Sequence, residues 1–289
     1  MTRAAASTGW RPIDNDASMP TIRANELDIY YEIHGDGPPI VNISGTGGDL
    51  RRMPPALNPL TKHFTVLSYD QRGLGRTTGG GDPGVDAAWS MADYADDAAA
   101  LLAALGWHRT GVVGTSFGGM VALNLAVRHA ELVDRLVLCC TSPGGTHPSY
   151  PLHELPSDPD EPTFALRMRL TDRRWDPDAA EPIPGLGPFY DQMAAQARGT
   201  LDAEAARGLR GQLLARAGHD VVGALGSIVA PTLVCAGRHD DLAPLENSEF
   251  LADQIPGARL EVFDGGHLFM IQDRTAFPTI IQFLADAPT

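Results

Sequence analysis

A glycine-flanked serine between an apolar strand and a helix is the feature that most constrains this chain. The apolar pair Val112 and Val113 leads into Gly-Thr-Ser-Phe-Gly at 114–118, and a small, alanine-rich helical pattern follows at once. A turn from strand directly into helix forces strained backbone angles on Ser116, and the small glycines let strand and helix approach closely. The pattern therefore predicts a serine hydroxyl at the carboxyl edge of a sheet, with the Phe117 N–H facing the same space.

The order of apolar segments indicates the fold around this turn. An alternating pattern over residues 21–34 predicts an amino-terminal hairpin. Short apolar runs then alternate with helical patterns, the runs at 40–43, 64–69, 136–140, 231–236 and 258–263 and the helices at 92–105, 117–129 and 274–285. Such alternation predicts an α/β fold, a mostly parallel central sheet flanked by helices, with the strand before Ser116 in its middle.

One long segment, residues 142–226, departs from this alternation. It is rich in prolines and acids at first and then carries helical patterns near 163–174, 189–197 and 202–217, with no strand-like apolar run. We expect a helical cap inserted between two parts of the core, residues 21–141 and 227–289. Residues 1–20 are expected to form a loose N-terminal arm.

Composition limits the partners and the compartment. The chain has 289 residues, 43% of them hydrophobic and 20% charged, which is typical of a globular protein with a substantial core. A net charge of −14 argues against nucleic acid or an anionic membrane as a partner, because both need clustered positive charge. Cys139, Cys140 and Cys235 lie in apolar runs and form no disulfide framework. With no signal-peptide pattern or membrane-spanning stretch, we expect a cytoplasmic protein.

A serine hydroxyl is a weak nucleophile at neutral pH, so it needs a base that an acid holds in position. His267 follows the last apolar strand on a glycine loop, and it is the histidine best placed to reach Ser116. The stretch Gly237-Arg238-His239-Asp240-Asp241 directly follows the strand at 231–236, and we expect the acid to be Asp240, with Asp241 as the alternative because spacing alone does not separate adjacent acids.

Four stretches make the chain similar to the α/β-hydrolase fold serine hydrolases, and especially to the capped esterase, lactonase and haloperoxidase-like group. They are Gly-Thr-Ser-Phe-Gly-Gly at 114–119, Tyr-Asp-Gln-Arg-Gly-Leu-Gly-Arg at 69–76, Pro-Thr-Leu-Val-Cys-Ala-Gly-Arg-His-Asp at 231–240 and Gly-Gly-His at 265–267. The family's order of serine, acid and histidine is met here. The resemblance also implies that the acid is Asp240, four residues before Pro244.

The resemblance implies the oxyanion hole as well. In this family the loop after the second apolar strand supplies one backbone donor, which falls on the N–H of Thr46, and the Phe117 N–H supplies the other. Many members have His-Gly in that loop, where this chain has Ser44 and Gly45. The same pattern gives Asp70 and Arg72 structural contacts that hold their turn.

These residues predict an enzyme that cleaves a carboxylic ester or lactone of a small apolar substrate through an acyl-enzyme on Ser116, with no metal or organic cofactor. Carbon–carbon bond hydrolysis, perhydrolysis and, in another class, ligand binding on a hydrolase scaffold remain alternatives. Apolar cap residues are expected to line the substrate pocket: Phe164, Met168, Trp175, Phe189, Tyr190 and Met193. Four cap arginines are interpreted as a solvated face rather than an anion site: Arg167, Arg169, Arg173 and Arg174.

Overall fold

The structure, a computed structural model, describes residues 20–81, 89–156, 160–199 and 202–286, so the predicted arm at 1–20 lies almost wholly outside the described residues. The strands are β1 Thr21–Ala24, β2 Leu27–His34, β3 Pro39–Ile43, β4 Thr65–Tyr69, β5 Thr78–Gly79, β6 Thr110–Thr115, β7 Val133–Cys139, β8 Thr232–Gly237 and β9 Arg259–Phe263. The α-helices are α1 Met91–Ala104, α2 Phe117–Arg128, α3 Glu161–Thr171, α4 Phe189–Arg198, α5 Ala203–Ala217, α6 Leu245–Gln254, α7 Phe269–Gln272 and α8 Ala276–Ala285. Short 3-10 helices lie at Pro55–Leu57, Pro59–Lys62, Ala130–Leu132, Leu152–Glu154 and Val222–Ser227.

The strands of the described ranges form one sheet in the order β1-β2-β4-β3-β6-β7-β8-β9, and β5 pairs with β2. From β4 to β9 each neighbouring pair is parallel, whereas β2 is antiparallel to β1 and β4. The predicted hairpin and mostly parallel sheet are therefore confirmed. Because β6 lies between β3 and β7, the segments that follow these three strands and β8 meet at one edge of the sheet.

Helices cover both faces of the sheet because successive side chains of each buried strand point to opposite sides. In β6, Val112 belongs to the apolar cluster that includes α1, α2 and Leu251 of α6. Its neighbour Val113 packs in the second cluster, with Phe269 of α7 and Ile280 of α8. The three cysteines are buried and free. None of the helices in the described part is long and apolar enough to cross a bilayer.

The cap segment contains three α-helices between β7 and β8, and α3, α4 and α5 lie within a few residues of the predicted helical patterns. Two helices of the core were not predicted. The first, α6, begins after Pro244 and its sequence, LENSEFLADQ, has only three apolar side chains besides one alanine. The second, α7, has four residues, which is too short for a helical period to show.

Gly118 permits the closest approach between α2 and the sheet. A Cβ at this position would overlap the carbonyl oxygen of Ile43 and lie 2.6 Å from that of Ser44, and neither backbone atom can rotate away. We therefore expect Gly118→Ala to lower the free energy of unfolding by about 1–3 kcal/mol, the usual cost of overpacking. Urea unfolding measures this change. The matched control is Gly223→Ala, because a Cβ at Gly223 meets nothing within 4 Å. Equal midpoints for the two variants would contradict the prediction.

Candidate active site

Ser116 lies at a strained turn between β6 and α2. Its φ of 55° and ψ of −116° belong to a region that residues with a Cβ rarely adopt. The neighbouring strand holds this conformation, because the Ser116 N–H donates to the Cys139 carbonyl at 2.8 Å and the Thr141 hydroxyl donates to the Ser116 carbonyl at 2.8 Å. The turn directs the serine side chain to the carboxyl edge of the sheet.

Ser116, His267 and Asp240 form one continuous chain of hydrogen bonds. His267 Nε2 lies 2.9 Å from Ser116 Oγ, and His267 Nδ1 lies 2.7 Å from Asp240 Oδ2. The other oxygen of Asp240, Oδ1, accepts the N–H groups of Leu242 and Ala243 at 2.8 and 2.9 Å. Because a buried carboxylate only accepts, Nδ1 must carry the imidazole proton and Nε2 is left to accept a proton from the serine.

The side chain of Asp241, the alternative acid in the sequence, points away from this series of hydrogen bonds. Its carboxylate pairs with Arg173 at 3.3 Å, and its side chain is 46% exposed. The geometry therefore brings Asp240, and not Asp241, to the histidine.

The two backbone donors expected for an oxyanion hole, the N–H groups of Thr46 and Phe117, have no acceptor among the described residues. The Phe117 N–H is the first of α2, where no helical acceptor exists. The loop of Thr46 passes directly over the serine, because a Cβ on Gly45 would lie 3.5 Å from Ser116 Cβ. Two N–H groups without an acceptor among the described residues therefore belong to segments next to Ser116.

Two glutamines hold this loop, at a place where the sequence departs from the family's His-Gly pattern. Gln71 Nε2 donates to the Ser44 carbonyl at 2.8 Å, and the Gly47 N–H donates to Gln212 Oε1 at 2.7 Å. Gln71 follows β4 in the core, whereas Gln212 is a fully buried residue of α5 in the cap. The oxyanion loop is therefore fixed from the core and from the cap together.

The first cap helix contacts the loops that carry the acid and the histidine. The His267 N–H donates to the Thr171 carbonyl at 2.6 Å, and the Asp241 N–H donates to the Leu170 carbonyl at 3.1 Å. These two carbonyls belong to the last turn of α3, where no intrahelical donor reaches them. The end of α3 thus completes the hydrogen bonding of both catalytic loops.

Five of the six cap residues expected to line a pocket come together. Phe164 and Met168 of α3 are buried against Ala194, and Trp175, Tyr190 and Met193 pack against them. Phe189 lies apart, with 53% of its surface exposed, because adjacent helical residues point about 100° from each other and Tyr190 faces the cluster. These side chains form the apolar interior of the cap itself.

Cap arginines and the turn after β4 have structural partners. The expected solvated face is wrong for Arg167 and Arg174, which are partly buried: Arg174 pairs with the fully buried Asp172 at 2.8 Å and with Asp264 at 3.0 Å. Arg72 forms a bidentate pair with Asp97, both bonds at 2.7 Å. Neither contact reaches the serine.

Cys140, Asp240 and His267 place ligand atoms within 4.8 Å of one another. Both ring nitrogens of His267 are already engaged by Asp240 and Ser116, and burial raises the pKa of the Cys140 thiol well above its ordinary value. A neutral thiol is a poor metal ligand. The hydrogen bonds of His267 to Asp240 and Ser116 therefore leave this cluster poorly suited to hold a metal ion.

His219, at the end of the cap's last helix, makes stability depend on pH. Its Nε2 lies 3.2 Å from the Ser142 carbonyl, and burial lowers its pKa from 6.5 to about 4. The unfolded chain therefore binds more protons between these values, so the free energy of unfolding falls as the pH falls from 6.5 to about 4. The total loss is on the order of 3 kcal/mol.

We expect His219→Gln to flatten this pH dependence, because glutamine does not titrate. Urea unfolding at several pH values between 7.5 and 4.5 measures the slope. His108→Gln, at an exposed site, is the matched control and should keep the slope of the unaltered protein. The same slope in His219→Gln would contradict the assignment.

Comparisons with known proteins agree with this architecture. A family model described as "alpha/beta hydrolase fold" matches residues 38–273. The "Putative carbamate hydrolase RutD" of Variovorax paradoxus is 31% identical over 276 residues, which cover 90% of this chain and 97% of that protein. Among solved structures, the enol-lactonase of Burkholderia xenovorans LB400 is 26% identical with a TM-score of 0.72, covering 92% of this chain and all of that one. A hydrolase from Pseudomonas aeruginosa PA01 is also 26% identical, with a TM-score of 0.74 and coverage of 94% and 100%.

Proposed function

The chain belongs to the alpha/beta hydrolase fold family, and from this premise we propose that it is a serine hydrolase that cleaves a carboxylic ester or lactone through an acyl-enzyme on Ser116. The observation that carries the proposal is the unbroken chain of hydrogen bonds from Ser116 through His267 to Asp240, which lies beside two unpaired N–H groups. A serine without a function needs neither a base at 2.9 Å nor a strained backbone.

In the proposed first step, Ser116 Oγ attacks the substrate carbonyl while His267 Nε2 takes its proton. Asp240 stabilises the imidazolium that forms, and the N–H groups of Thr46 and Phe117 bind the oxyanion. His267 then protonates the leaving alkoxide, and the ester bond breaks. In the second step His267 activates a water molecule, which releases the acid and restores the serine.

The position of the cap favours a small substrate. We propose residues 142–226 as the cap, because α3 and α5 contact the catalytic loops directly and their buried faces close the carboxyl edge of the sheet. The enol-lactonase of similar fold is a neighbour whose name refers to a lactone. A lactone and an ester present the same carbonyl to the serine.

Carbamate hydrolysis is a second candidate, and the observation that favours it is the name of the curated relatives at about 30% identity along nearly the whole chain. The carbonyl carbon of a carbamate is bonded to oxygen, as in an ester, and also to nitrogen. The same serine can therefore attack it. Deacylation would be slower, because nitrogen stabilises the carbamoyl-enzyme by resonance.

A substrate panel tests the proposal: methyl and aryl esters of short acids, five- and six-membered lactones, and aryl carbamates, each with the unaltered protein and Ser116→Ala. We expect catalytic turnover of at least one ester or lactone and none in the variant. Turnover of carbamates alone would replace the proposal with the second candidate. Equal turnover by both proteins would overturn the role of Ser116, and turnover of no carbonyl compound would overturn the proposal in favour of a ligand-binding role.

A further inference from the structure

The inward face of α5 carries two buried polar side chains with unused hydrogen-bond donors. Gln212 is fully buried and Arg216 is 8% exposed, yet Gln212 Nε2 and Arg216 Nη1 have no partner among the residues that the structure describes. Because the Gly47 N–H fixes the amide oxygen of Gln212, its nitrogen must be the free end. Buried donors are nearly always paired, so two on one helix face call for an acceptor from outside the chain.

The contacts of α5 bring these donors to the edge of the sheet at which Ser116 lies. At Gln212 the helix is bonded to Gly47, in the loop that follows β3. One turn further, Arg216 donates to the hydroxyl and carbonyl of residues 149–150, which follow β7, at 2.9 and 3.0 Å. In the sheet β6 lies between β3 and β7, so α5 crosses the edge where Ser116 stands.

Arg216 is also a buried charge without a counterion. No carboxylate of the described residues lies within ion-pair distance of it, and the nearby Asp240 already accepts its hydrogen bonds from elsewhere. Burial lowers the pKa of Arg216 to about 10, so the side chain is still a cation at neutral pH. Two other arginines are buried: Arg72 has Asp97 as its partner, and Arg135 donates to the Asp286 carbonyl and lies over the Phe283 ring. A buried and unpaired cation is costly, and an anionic ligand removes that cost.

We propose that this face of α5 binds a carboxylate of the substrate, with Arg216 Nη1 and Gln212 Nε2 as donors, while Ser116 attacks an ester or lactone carbonyl at the other end of the molecule. The inference rests on the proposed function and names its substrate class: hemiesters and carboxylate-bearing lactones. Two residues one turn apart are about 6 Å from each other along the helix axis. Across this spacing, each oxygen of one substrate carboxylate can accept a hydrogen bond from one of the two donors. The buried hydroxyls of Thr46 and Ser142, also without partners, offer further polar contacts.

The experiment compares matched esters that differ only in a terminal carboxylate. Monomethyl glutarate, adipate and pimelate are paired with methyl pentanoate, hexanoate and heptanoate, and kcat/KM is measured for each. We expect the unaltered protein to prefer the hemiester at least tenfold at one chain length. Arg216→Met should reduce this preference ratio about tenfold or more, since a charge-assisted pair is lost, and Arg216→Lys should retain part of it. Arg210→Met removes the same charge from the exposed face of α5 and should leave the ratio unchanged.

A preference for the neutral ester at every chain length, or an unchanged ratio in Arg216→Met, would overturn the inference. If Arg216→Met does not fold, we test whether adipate inhibits the hydrolysis of methyl hexanoate by the unaltered protein. Competitive inhibition supports the carboxylate subsite, and its absence opposes it. If no ester is turned over at all, the proposed function fails separately. Calorimetry of adipate with the Ser116→Ala protein then tests the carboxylate site alone, and binding that Arg216→Met abolishes supports it.

Discussion

Ser116→Ala is expected to lower kcat/KM for any ester or lactone substrate on the order of 10⁴-fold or more. The reason is that the acyl-enzyme cannot form without Oγ, and the remaining N–H groups only polarise the carbonyl. His267 would keep its bond to Asp240, so the substitution removes the nucleophile and leaves the base in place. It also replaces a strained serine with an equally strained alanine, so stability should change little.

Covalent labelling separates this prediction from a general loss of fold. The unaltered protein should gain one fluorophosphonate adduct, visible as one mass increment in the intact protein and located on Ser116 by peptide mapping. Ser116→Ala should gain none, and Ser227→Ala, at an exposed position, should be labelled like the unaltered protein. An adduct that persists in Ser116→Ala, or no adduct on well-folded unaltered protein, would count against an activated serine.

Asp240→Asn is expected to lower kcat about 10³- to 10⁴-fold with a much smaller effect on KM. Oδ1 of Asp240 accepts two backbone N–H groups, so the carbonyl of asparagine must occupy that position. Its NH₂ group then faces His267 Nδ1 and can only donate. The imidazole proton is forced onto Nε2, which can no longer accept the proton of Ser116.

The matched control is Asp241→Asn, one residue away and on an exposed ion pair with Arg173. Exposed pairs contribute little, so we expect less than about a threefold change in kcat. Equal losses in Asp240→Asn and Asp241→Asn would contradict the assignment of the acid.

The juxtaposition of the three proposed triad side chains could be predicted because each lies within a few residues of the end of a strand. Ser116, Asp240 and His267 come after β6, β8 and β9, and the rule that parallel strands end at one edge brings them together without further information. The choice between Asp240 and Asp241 needed the family pattern. The side chains of two adjacent residues on a turn point in different directions, and their spacing in the sequence does not show which of them faces His267.

Gln212 and Arg216 could not be predicted, because their helix has mixed polarity and nothing in it distinguishes a buried polar side chain from an exposed one. The partner of Gln212 is Gly47, 165 residues earlier in the chain. Thr141 has the same difficulty, since its hydroxyl bonds a carbonyl that only the folded sheet brings near. Such contacts arise from tertiary packing, of the cap on the core or of one core loop on another, and a periodic pattern describes only which face of a helix is apolar.

The bonds from the end of α3 to the catalytic loops have a consequence for engineering by cap exchange. Transplanting a cap from a relative would remove the acceptors of the N–H groups of His267 and Asp241, unless the donor cap also ends a helix at the positions of Leu170 and Thr171. A graft that begins after residue 172 keeps these two carbonyls and changes only the remainder of the cap. In such chimeras the junction therefore lies after the C-terminal end of α3, so that the first cap helix stays with the core.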